Sequence, residues 1–95
     1  MKHEEIVEFI RTEKIIAVIR ADLKQELFFK AVRALYKGGI RCIEITMTSP
    51  NALNIIENLK KEWEENDILI GTGTVIDATT CRLAILAGTD FIVTP

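Results

Sequence analysis

Four short apolar runs rich in β-branched residues punctuate this chain, and their spacing constrains the fold more than any other feature. They are IIAVIR (15–20), RCIEIT (41–46), ILIGTG (68–73) and DFIVT (90–94). Successive runs start 26, 27 and 22 residues apart, the length of one strand–helix unit in a parallel sheet. Their apolar character is nearly continuous, as expected of strands covered on both faces.

Helical patterns fill the intervals. Residues 2–12 place Ile6, Val7, Phe9 and Ile10 on one side of a helix. Asp22 is expected to cap a helix over 23–37, in which Leu27, Phe28, Ala31, Val32 and Leu35 recur at helical spacing. Gly38 and Gly39 are expected to end it in the left-handed conformation. Ser49 as N-cap and Pro50 at the first helical position are expected to start a third helix over 50–65. Asp77 is expected to cap a fourth over 78–87, closed by Gly88.

The order is therefore one helix followed by β-α-β-α-β-α-β. A chain of 95 residues is one domain at most. Four parallel strands leave two unpaired edges, and closing a barrel removes both. The expected fold is α/β, with residues 1–95 forming the N-terminal half of a single (β/α)8 TIM-barrel domain behind a short helix. A flavodoxin-like open sheet is the competing arrangement.

A net charge of −2 offers no basic surface to nucleic acid or to an anionic membrane. The first residues have no apolar core of signal-peptide length. No apolar run approaches the roughly 20 residues that span a bilayer. Cys42 and Cys81 do not make a disulfide framework. The expected setting is reducing and cytoplasmic, with neither nucleic acid nor membrane as partner.

Glu44 interrupts the apolar second run, and a carboxylate there costs several kcal/mol unless it is paired or neutralised. Strand alternation puts Cys42, Glu44 and Thr46 on one face and Ile43 and Ile45 on the other. The isoleucines must meet the helices, so Glu44 points into the barrel, toward the end where barrel enzymes place catalytic groups. It is either a general acid/base of raised pKa or a structural carboxylate paired with Arg20. Arg20, on the face of Ile16 and Val18, is expected at the barrel mouth, holding a carboxylate or phosphate oxygen or forming a salt bridge to Glu44 or Asp22. The inner face is also expected to carry Ile70 and Ile92 with Val18.

IGTGTV (70–75) is not a dinucleotide loop, because the third glycine of G-x-G-x-x-G would fall at Ile76. Gly71 and Gly73 are expected to admit a ligand to the backbone, with Thr72 and Thr74 offering hydroxyls; a tight strand-to-helix turn is the alternative. Pro95 is a turn residue or a pocket wall. His3 has no second histidine near it, so no metal site is expected.

IIAVIRA, GGIRCIEITMTSPNAL, IGTGTV and AGTDFIVTP together resemble the N-terminal half of the KDPG/KHG aldolases, in register along the whole chain. The resemblance implies a (β/α)8 barrel, a trimer, and a cofactor- and metal-independent class I aldolase that forms a Schiff base between a lysine and pyruvate. Its keto-acid substrates are 2-keto-3-deoxy-6-phosphogluconate and 4-hydroxy-2-oxoglutarate, cleaved to pyruvate and an aldehyde. It implies that Glu44 shuttles the proton through a water, that Arg20 and Thr74 line the substrate pocket, and that Pro95 is a wall beside it. Thr48 stands where many members carry an arginine on the substrate carboxylate.

A Schiff-base lysine must sit desolvated at the C-terminal end of a strand. Lys2, Lys14, Lys24, Lys30, Lys37, Lys60 and Lys61 all read as helical and solvent-facing or, for Lys14, as lying at the wrong end of a strand. The resemblance puts that lysine on a sixth strand, outside this chain, so the 95 residues alone are expected to be inactive. The alternative is a non-catalytic half-barrel, a fragment or assembly module.

Overall fold

The computed structural model describes residues 2–64 and 67–95. Its elements follow the predicted order: α1 (His3–Glu13), β1 (Ala17–Ile19), α2 (Gln25–Lys37), β2 (Cys42–Thr46), α3 (Ala52–Trp63), β3 (Leu69–Gly73), α4 (Ala78–Leu86) and β4 (Phe91–Ile92). Glu65, the last residue expected in α3, lies outside the described residues. The first and last strands fall furthest short of their apolar runs, because each has one neighbour and so one row of ladder bonds.

The strands form one parallel sheet in the order β1-β2-β3-β4. Right-handed crossovers that always step the same way lay the connecting helices α2, α3 and α4 on one face of the sheet. A flavodoxin-like sheet reverses its strand order at a switch point and carries helices on both faces. No reversal occurs among the described strands, so that alternative falls, and the arrangement is that of consecutive barrel units.

Ladder register sets the faces. Val18 pairs with Glu44, Glu44 with Gly71, and Gly71 with Phe91, so these four share the inner face. Ile43, Ile45 and Ile70 lie on the outer face and are fully buried with Phe28 and Val32 of α2 and Ile55, Ile56 and Leu59 of α3. Each such side chain contributes about 1.5–3 kcal/mol by leaving water. The register corrects the inward placement of Ile70 and Ile92. Ile92 pairs with Thr72, and both belong to the helix-facing side; only Val18 of that trio is inward, and it is 50% exposed.

Helix ends show which local signals prevailed. Asp77 caps α4 as expected, accepting from the Thr80 N–H at 2.6 Å, and Gly88 leaves it with φ +96°. Asp22 does not cap α2: Lys24 holds the cap position without a side-chain bond, because residues 20–24 are taken up in crossing from sheet to helix. Ser49 and Pro50 also lie outside α3, whose N-cap is Asn51 at φ 60°. At the other end of α2, Gly38 stays right-handed and only Gly39 turns left-handed. At the N-terminal end of the sheet, Asp90 accepts from Lys60 Nζ at 2.7 and 2.8 Å and from the Ile70 N–H at 2.8 Å, fastening α3 to β4. Among the described residues no helix is long and apolar enough to cross a membrane.

Candidate active site

Glu44 sits at the centre of β2 with strands on both sides, and it is 6% exposed. Across from it on the inner face β3 offers Gly71 and Gly73. A Cβ on Gly73 would collide with the Glu44 carboxylate, and one on Gly71 with the ring of Phe91. The two glycines thus make room for side chains crossing from both neighbouring strands, rather than the ligand expected from sequence. Burial raises the pKa of Glu44, and the charge of Arg20 pulls it part of the way back. Arg20 makes no ion pair with Glu44 or Asp22 among the described residues. The structural-pair reading of Glu44 therefore loses its partner, and what remains is a buried carboxyl that keeps its proton to a higher pH than usual.

The rim above Glu44 is built by two loops. Thr46 ends β2 fully buried, and its Oγ lies 2.7 Å from the Oγ of exposed Thr48. Ser49, 4% exposed, donates its hydroxyl to the Ala21 carbonyl at 2.7 Å. That bond ties the loop carrying Thr48 to the loop carrying Arg20. Sequence reasoning assigned Ser49 to a helix cap, and nothing local marks a partner 28 residues away.

Of the two threonines of the glycine motif, Thr72 is corrected. It is fully buried on the outer face and its hydroxyl bonds Thr89 Oγ at 2.9 Å, so it is not offered to a ligand. Thr74 directly follows β3 with φ 58°, a strained conformation for a β-branched residue. Strain of this kind collects at ligand sites. Left-handed geometry costs about 1–2 kcal/mol, and glycine's extra chain entropy returns roughly 0.5–1 kcal/mol of that. Thr74→Gly is therefore expected to hold or raise stability by up to about 1.5 kcal/mol in urea unfolding, while removing the hydroxyl. A marked loss of stability would show that Thr74 is held by contacts rather than strained.

Pro95 is not brought to Glu44. It lines an open groove of about 540 Å³ with Val75, Asp77 and Cys81, between the strand ends and the start of α4. Cys42 lies on the inner face, and burial, helped by the charge of Glu13, pushes its thiol up to about 11, away from the thiolate form that nucleophilic attack needs. His3 lines a cleft between α1 and the start of β4. Among the described residues no three His, Cys, Asp or Glu gather where they could hold a metal ion.

The sequence profile of the KDPG and KHG aldolases matches residues 6–95. The 2-dehydro-3-deoxy-phosphogluconate aldolase of Haemophilus influenzae is 37% identical over 92 residues, which are 97% of this chain and 42% of that protein. A crystal structure of KDPG aldolase from Legionella pneumophila, with pyruvate captured as a covalent carbinolamine intermediate, is 32% identical. It superimposes with a TM-score of 0.77 over 84% of this chain and 37% of its own. The Zymomonas mobilis enzyme with 3-phosphoglycerate gives a TM-score of 0.82 at 28% identity, over 99% of this chain and 43% of that one. The chain spans about two fifths of the length of the curated relatives it matches.

Proposed function

The chain belongs to the KDPG and KHG aldolase family, and on that premise we propose that residues 1–95 supply the acid/base half of a class I aldolase barrel. The observation that carries this reading is the buried, unpaired Glu44 on the inner face, its pKa raised by desolvation. The amine that forms the imine lies outside this chain: six of the seven lysines are exposed, and the half-buried Lys60 is engaged with Asp90.

The substrate is a 4-hydroxy-2-keto acid, 2-keto-3-deoxy-6-phosphogluconate or 4-hydroxy-2-oxoglutarate, held as an imine. Glu44, through a water, takes the proton of the substrate hydroxyl. The bond between the carbinol carbon and the carbon next to the imine breaks, the aldehyde leaves, and the electron pair passes into an enamine. Glu44 returns the proton to the enamine carbon, and water then releases pyruvate from the lysine. Arg20, Thr48 and Thr74, on the segments that follow β1, β2 and β3, bind the substrate's anionic oxygens, with Pro95 as an outlying wall. Family membership also supports a homo-oligomer, a trimer.

The test is a chimera in which residues 1–95 replace the matching segment of the Haemophilus influenzae relative. It is expected to release pyruvate from 2-keto-3-deoxy-6-phosphogluconate, and borohydride is expected to fix pyruvate on a lysine outside residues 1–95. A chimera with a cooperative thermal transition that does neither would leave the non-catalytic half-barrel as the better reading.

A further inference from the structure

Resting on the aldolase reading above, we propose that Thr46 is a positioning residue: by donating its hydroxyl proton to Thr48, it turns the Thr48 hydroxyl into a fixed donor for the substrate carboxylate. Thr46 lies on the same face as Glu44 and pairs with Gly73 in the ladder. It is fully buried, and the Thr48 Oγ at 2.7 Å is the partner its hydroxyl has among the described residues.

A hydroxyl carries one proton and two acceptor sites. With the Thr46 proton spent on Thr48 Oγ, the Thr48 proton is free to point into the mouth. A carboxylate only accepts, so this is the orientation it requires; the reverse would set lone pairs against its charge. Hydrogen bonds in such a chain also polarise one another, which strengthens the outer donor.

Thr48 by itself is in an exposed turn, where its hydroxyl rotates and exchanges partners with water. Thr46 is rigid by comparison. Its strand is laddered to β3, and the next residue's N–H bonds the Gly73 carbonyl at 2.9 Å. Ser49 anchors the far side of the same turn to Ala21. The Thr48 hydroxyl is thus fixed from both flanks, by a buried side chain before it and a tethered backbone after it.

The experiment uses the active chimera and compares Thr46→Val, which keeps the shape, with Thr46→Ala, Thr46→Ser, Thr48→Val and the Thr46→Val/Thr48→Val double variant. Thr46→Val is expected to raise KM for the keto acid roughly three- to tenfold, the size of one hydrogen bond, with kcat little changed. Thr46→Ala should follow it, and Thr46→Ser should restore the parent KM. The double variant should match Thr48→Val alone, because one hydroxyl acts through the other. An unchanged KM in both Thr46→Val and Thr46→Ala, or effects that multiply in the double variant, would overturn the proposal while leaving the aldolase reading intact. A folded but inactive parent chimera overturns both.

Discussion

Glu44→Gln in the chimera is expected to lower aldol cleavage by about 10²–10⁴-fold, the loss that follows removal of a general acid/base. Borohydride is expected still to fix pyruvate on the variant, because the role proposed for Glu44 is to move protons and not to form the imine. The amide keeps the size of the carboxyl that crosses Gly73, so packing is preserved. Stability moves the other way. A carboxyl whose folded pKa is raised binds its proton more tightly in the native state. Its ionisation therefore costs stability as pH rises from the unfolded pKa through the folded one. Glu44→Gln abolishes that cost, so the variant is at least as stable at neutral pH and loses that part of the pH dependence of unfolding. Parent-like turnover by Glu44→Gln removes Glu44 from the chemistry, whatever its pKa.

Expressed as the 95 residues alone, the chain is expected to give no borohydride-stable pyruvate adduct and no cleavage. No lysine is buried on the inner face: six are exposed, and Lys60 is paired with Asp90. The same polypeptide is expected to self-associate. β1 and β4 each have one ladder neighbour, leaving two rows of backbone groups for another chain to pair with. Val18 of β1 stands half-exposed on the inner face. Sedimentation at micromolar concentration is expected to show species heavier than the monomer. A well-folded monomer would mean that water and side chains suffice to cover both edges, and a pyruvate adduct would mean that one of these lysines is activated after all.

Much of this was legible locally. The order of elements followed from the spacing of the apolar runs, because each strand and helix carries its period within its own residues. The inner position of Glu44 followed from alternation inside a single strand, with Ile43 and Ile45 claiming the helix side. The Asp77 cap and the Gly88 turn also depend on neighbours within a few residues.

The tertiary structure decided what depends on pairing between distant segments. Strand order separated barrel units from a doubly wound sheet, and no residue in any one strand encodes which other strand lies beside it. Register moved Ile70, Thr72 and Ile92 to the outer face, since alternation within β3 or β4 leaves open which of its two faces is inner. Gly71 and Gly73 read as admitting a ligand or as a tight turn, and only the neighbouring strands show that they clear Phe91 and Glu44. Ser49 read as a cap because serine before proline favours one; its hydroxyl went instead to Ala21, 28 residues away. Propensity acts over a turn of helix, whereas a buried hydroxyl bonds whatever acceptor the fold brings to it.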